Sequence, residues 1–242
     1  MKLLIIRHGD PDYENDTLTE VGHKEALLLS QELSNKKIDK IYVSPLGRAK
    51  ATAEYTCKLK GMEATVCDWL REFPARIYRP EEDFLDVPWD WRPADWTPVE
   101  EFYSLEKWAS VPAMTAGGVA EKYAHVLEKF DKLLASLGYL REKNLYRVTK
   151  SNEDTIAFFC HFGLECVLLS RLLNISPMLL WHGTCAAPTS VTTIYTEERQ
   201  KGIAYFRMAE FGSVAHLTSH GEEPSFSARF CEIYDRMDQR HD

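Results

Sequence analysis

The residues best suited to chemistry in this chain are two histidines, two arginines and one glutamate. His8 sits between Arg7 and Gly9, directly after the apolar run Leu3–Ile6. His161 directly follows a second apolar run, Ile156–Cys160, and Gly163 lies two residues on. An imidazole titrates near neutral pH and can serve as nucleophile or as acid and base. Arg7 and Arg48 are permanent cations whose planar fork matches phosphate oxygens. Glu72, in Trp69-Leu70-Arg71-Glu72-Phe73, enters an aromatic segment. Burial there would raise its carboxyl pKa and make it a general acid near neutral pH. Any of these residues alone has an ordinary structural reading. Their shared position at strand ends argues for the handling of a phosphoryl group.

The elements that must position them follow from the apolar pattern. Short apolar runs read as buried strands, so Leu3–Ile6, Ile38–Val43 and Ile156–Cys160 are expected strands, with a short one at Ala64–Cys67. Thr19 is an expected N-cap for a helix carrying Leu27, Leu28, Leu29 and Leu33. Leu46–Lys60 reads as a helix that stops at Gly61, which puts Arg48 at a helix N-terminus where N–H groups favour anions. Val119–Leu137 and Gly163–Leu173 read as further helices. Ser190–Tyr195 and Ile203–Met208 are expected to add edge strands. Alternating strands and helices imply an α/β sandwich with a largely parallel sheet, whose ligands bind beyond the carboxyl ends of the strands. Gly9 is read as the residue that lets backbone approach such a ligand.

Residues 73–118 break this rhythm. Pro74, Pro80, Pro88, Pro93, Pro98 and Pro112 oppose long regular elements, while Trp89, Trp91, Trp96 and Trp108 argue against disorder. The segment reads as an ordered insertion or cap, and its tryptophans suggest a partly apolar leaving group. The whole chain, 242 residues, is expected to form a single domain carrying that insertion. A net charge of −8 disfavours nucleic acid and anionic membrane as partners. No apolar stretch is long enough to span a bilayer, and the N-terminus enters a strand without the layout of a signal peptide. The six cysteines contain no CxxC pair and read as reduced and structural, consistent with a cytoplasmic protein. Cys160, His161 and Cys166 lack a second ligand pair at zinc-like spacing, so no metal is expected.

Taken in order, these pieces resemble the histidine phosphatase superfamily, the phosphoglycerate-mutase-like fold. The resemblance rests on Arg7-His8-Gly9, on Leu18-Thr19-Glu20-Val21-Gly22, on the run Ser44-Pro45-Leu46-Gly47-Arg48-Ala49-Lys50-Ala51-Thr52-Ala53, on Leu70-Arg71-Glu72, and on the strand-end His161. It covers residues 1–72 and about 150–217. It implies a three-layer α/β/α sandwich and a phosphatase acting on a small phosphomonoester through a phosphohistidine on His8. Arg7, Arg48 and His161 would surround the phosphoryl oxygens, Glu72 would act as acid and base, and neither metal nor cofactor would be needed. The alternatives are a phosphoglycerate-mutase-type phosphotransferase and a non-catalytic phosphate-binding domain. Where the family places an asparagine this chain has Glu14, with Asn15 one residue later. Glu72 is followed by Phe73-Pro74-Ala75-Arg76, unlike the glycolytic mutases.

Overall fold

The computed structural model describes residues 1–80 and 82–241; Glu81, inside the expected insertion, and Asp242 lie outside the described residues. Strands β1 (Lys2–Arg7), β2 (Pro11–Asp12) and β3 (Thr17–Leu18) lead into helix α1 (Glu20–Ser34), followed by β4 (Lys40–Val43), α2 (Gly47–Lys60) and β5 (Ala64–Val66). The middle holds β6 (Ile77–Tyr78), β7 (Leu85–Asp86), α3 (Pro93–Trp96), α4 (Pro112–Ala116) and α5 (Val119–Ser136). The remainder runs β8 (Tyr139–Glu142), β9 (Leu145–Val148), β10 (Thr155–Cys160), α6 (Phe162–Leu173), α7 (Pro177–Gly183), β11 (Val191–Gln200), β12 (Ile203–Ser213) and α8 (Ala215–Thr218). Local signals set several boundaries. The Thr19 hydroxyl accepts the Gly22 N–H at 3.0 Å and caps α1, and Gly61 closes α2 in the left-handed region at φ 61°.

Eight strands form one sheet in the order β5-β4-β10-β1-β11-β12-β9-β8. The first four are parallel and the last four join antiparallel. The parallel part carries the strand ends that matter here. Side chains alternate across it, as the strand period requires. Leu4, Ile6, Ala157 and Phe159 pack under α1 and α2 with Leu29, Leu33, Ala49 and Ala53. Leu3, Ile5, Ile156 and Phe158 face the other way, against Phe130 and Leu134 of α5 and Leu164 and Leu168 of α6.

Two expectations need correction. The strands β11 and β12 are not at an edge. β11 pairs with β1 through Ile5↔Thr192, and the sheet ends at β5 and β8. The hairpin β8–β9 was missed because each strand has four residues and mixes charged with apolar side chains, which leaves little periodicity to read. The room at Gly9 also has a use within the fold. A Cβ there would meet the Gly22 carbonyl oxygen at 2.8 Å, so the start of α1 already requires the glycine.

The described residues between 73 and 118 fold as short pieces held by aromatic packing. Trp89, Trp91 and Trp108 are buried, and the rings of Trp89 and Trp108 both lie 5.6 Å from that of Trp181 in α7. The buried Arg79 donates to the carbonyls of Trp89 and Asp90 and pairs with Glu82 and Asp86. These bonds satisfy backbone that the prolines keep out of regular structure. Among the described residues no helix is long and apolar enough to cross a membrane.

Candidate active site

Parallel pairing of β1 with β10 puts Arg7 opposite Cys160, and the His8 N–H donates to the Cys160 carbonyl at 3.0 Å. The next residue on each strand is therefore a histidine at the same sheet edge. Both rings are buried, and their centroids lie 5.0 Å apart. Nδ1 of His8 lies 2.8 Å from the Gly9 carbonyl oxygen. A carbonyl can only accept, so Nδ1 carries the proton and Nε2 keeps the lone pair. Burial, then the neighbouring Arg7, holds the His8 pKa well below the usual histidine range, with Arg48 adding to it and the Gly9 carbonyl opposing. His161 is lowered in the same way by burial, His8, Arg48 and Arg7. Its Nε2 meets the Ser44 hydroxyl at 2.8 Å, and Nδ1 has no partner among the described residues.

The arginines are anchored, not free. Arg7 is buried, donates from Nη1 to the Ala186 carbonyl at 2.6 Å, and lies 5.9 Å from the Phe162 ring. Arg48 pairs from Nη1 with Asp16 at 2.8 Å. The other Asp16 oxygen accepts the Gly47 N–H at 2.6 Å, so one carboxylate fixes both the cation and the helix that carries it. Nε of Arg7 and Nε of Arg48 are buried without a partner among the described residues. Two guanidinium nitrogens and one imidazole nitrogen thus remain as buried polar atoms that call for an acceptor or a ligand. The motif threonine contributes too: Thr52 Oγ1 accepts the Gly9 N–H at 2.9 Å and donates to the Arg48 carbonyl at 2.8 Å.

Glu72 lies at the mouth of α6. Its Oε1 accepts the Phe73 N–H at 2.8 Å and the Leu164 N–H at 3.0 Å, in the first turn of that helix. Burial raises its pKa, opposed by these two N–H groups and by Arg7 and Arg48. The structure therefore gathers all five sequence candidates: His8, His161, Arg7, Arg48 and Glu72. Glu14 and Asn15 are not drawn in. Both are exposed, and Asn15 is spent on Asp12, with bonds of 3.1 and 2.8 Å.

Two acids were missed. Asp16, the clamp on Arg48, carries no motif signal and is identified only by its contacts. Glu165 is buried in the first turn of α6 facing Thr192, and among the described residues neither of its oxygens has a partner at full hydrogen-bond distance and geometry. Burial raises its pKa to about 7, opposed by Thr192 and Arg7, with Glu72 pushing it further up. An acid amid Gly163, Leu164, Cys166 and Val167 on a helix buried nearly all round was the available signal.

The family profile of the histidine phosphatase superfamily (branch 1) matches residues 3–208, including the middle segment. The chain belongs to the histidine phosphatase superfamily. It is 31% identical over 216 residues to phosphoserine phosphatase 1 of Hydrogenobacter thermophilus, covering 84% of this chain and 90% of that one. The same fold occurs in a phosphoserine phosphatase mutant of Entamoeba histolytica in complex with phosphoserine, with TM-score 0.53, 20% identity and coverage of 89% and 98%. It also occurs in a mycobacterial glucosyl-3-phosphoglycerate phosphatase, with TM-score 0.56, 18% identity and coverage of 88% and 98%. Membership and the curated relative support a hydrolase acting on phosphomonoesters.

Proposed function

We propose that this histidine phosphatase hydrolyses a small phosphomonoester through a phosphohistidine on His8. The observation that carries the reading is the bond from His8 Nδ1 to the Gly9 carbonyl, which leaves Nε2 as the nucleophilic nitrogen. Burial and Arg7 keep the ring neutral, and only the neutral ring can attack phosphorus. Nε2 forms the new N–P bond while the ester P–O bond breaks. Arg7, Arg48 and His161 take the non-bridging oxygens through their unpartnered nitrogens, offsetting charge at the transferring group. When Ser44 donates to His161 Nε2, the single N–H proton of the neutral ring sits on Nδ1, which becomes a donor to the phosphoryl group. Protonated Glu72 gives its proton to the leaving oxygen, then takes one from the water that cleaves the N–P bond. The products are the alcohol and inorganic phosphate. Residues 73–118 serve as the cap over the leaving-group side.

Rapid acid-free quenching during turnover tests this. An alkali-stable, acid-labile phosphoryl label on the wild type that is absent from His8→Ala is the expected result. Full turnover by His8→Ala would overturn the reading. Efficient conversion of 3-phosphoglycerate to 2-phosphoglycerate with a bisphosphate primer would replace hydrolysis by transfer.

A further inference from the structure

A cavity of about 660 Å³ lies between the insertion, α7 and the C-terminal residues 228–241. Two of its wall residues adjoin the phosphate end, and one of them, Phe162, has its ring 5.9 Å from Arg7. Phe162, the residue after His161, forms part of its wall, and so does Cys185, the neighbour of the Ala186 carbonyl that holds Arg7. Aromatic side chains make up much of the wall: Trp91, Trp96, Phe162, Trp181 and Phe230. The Arg240 guanidinium lies 4.3 Å from the Phe230 ring and pairs with Asp90 at 2.9 Å, which ties the C-terminal segment to the insertion.

The buried carboxylates and the histidine of this wall are already engaged. Glu82 pairs with the buried Arg79 and Asp90 with Arg240, while Arg229 lies half exposed at the rim beside Glu232. His182 gives its Nδ1 proton to the Met178 carbonyl at 2.8 Å and takes the Trp91 N–H at 3.2 Å on Nε2. Its ring stacks on Trp96 with centroids 4.9 Å apart. Recognition of an amino-acid ester requires charges available to its ammonium and carboxylate, because a buried polar site discriminates by pairing. A cavity of this size, walled by rings and with its carboxylates already paired, fits a larger apolar group.

We infer that the leaving group of this phosphatase is a bulky apolar or ring-bearing alcohol, seated against Trp96, Phe162 and Phe230, and not serine. The inference rests on the proposed phosphatase reading for its orientation: phosphoryl group on His8, alcohol in the aromatic cavity.

The test compares 3-phenylpropyl phosphate with O-phosphoserine, since both release a primary alcohol and differ chiefly in what fills the cavity. The expected kcat/KM favours 3-phenylpropyl phosphate at least tenfold. In Phe230→Ala, and separately in Trp96→Ala, that ratio falls at least threefold. A preference for phosphoserine, or an equal loss on both substrates with the ratio unchanged, overturns the inference. The phosphatase reading fails in a different way, with neither ester turned over or with His8→Ala fully active. In that event quenching of tryptophan fluorescence decides the cavity. A Kd for 3-phenylpropyl phosphate at least tenfold below that for phosphoserine upholds it, and equal values refute it.

Discussion

The phosphate end and the aromatic cavity lie side by side and are built in opposite ways. The histidines, Arg7 and Arg48 come from strand ends and a helix start, each within a few residues of a regular element whose register is fixed by the sheet. The cavity is assembled from a proline-broken insertion, the end of α7 and the last residues of the chain, joined by ring packing and by the Asp90–Arg240 pair. Phosphoryl transfer depends on placement of charge, and ladders supply that placement. Choice of leaving group depends on shape, which loops can vary without disturbing the ladders. The two regions meet at Gly163, whose Cβ position is filled by the Trp89 ring at 2.3 Å.

That division can be broken from either side. The largest effect is expected for His8→Ala, which removes the nucleophile and should lower kcat by more than about a thousandfold on every phosphomonoester, with thermal stability retained. Comparable loss on only one substrate class would mean that the histidine also selects the alcohol. Glu72→Gln should lower kcat about 10²–10⁴-fold with little change in the inhibition constant for phosphate. A general acid works only while protonated. The rate of the wild type should therefore fall as pH rises through the elevated Glu72 pKa, and the variant should lose that fall. An unchanged pH profile in Glu72→Gln would remove it from the proton transfer. Arg48→Gln should raise KM about 10–100-fold, as expected for loss of a charge-assisted contact. It should do so equally for small and bulky esters, and a change confined to bulky ones would place Arg48 in the cavity.

Smaller effects sharpen the boundary. Glu165 is buried, and a rise in pKa from 4.5 to about 7 corresponds to about 3 kcal/mol. The folded protein binds this proton more tightly than the unfolded chain. Stability from this group is therefore full at low pH and lost as pH rises from the unfolded value through about 7. Glu165→Gln, which stays neutral, should be more stable than the wild type at pH 8 and gain little at pH 5, as read by denaturant melts at the two pH values. Gly163→Ala should cost about 1–3 kcal/mol by displacing the Trp89 indole. It should alter the preference between esters more than phosphate inhibition. The reverse result would show that Trp89 supports the histidines and not the cavity.

Much of the phosphate end was legible in the chain because its signals are local. Apolar runs mark β1 and β10, Thr19 and Gly61 mark helix ends, and His8 and His161 follow their strands directly. The hairpin β8–β9, the interior placement of β11 and the Asp16 clamp were not legible. The hairpin is local but its four-residue strands mix charged and apolar side chains, β11 is placed by a partner strand nearly two hundred residues away, and the Asp16 clamp is a contact with no sequence period.

By itself, the sequence determined which residues stand at strand ends and which helix starts carry cations, since periodicity and capping act over a few residues. Only the tertiary structure decided that β1 lies beside β10, so that the two histidines become neighbours. It also decided which nitrogen of His8 is free, that Asp16 clamps Arg48 and that Glu165 is buried. Strand order, burial and the closure of distant segments around a cavity are set by packing across the whole chain, and no local pattern encodes them.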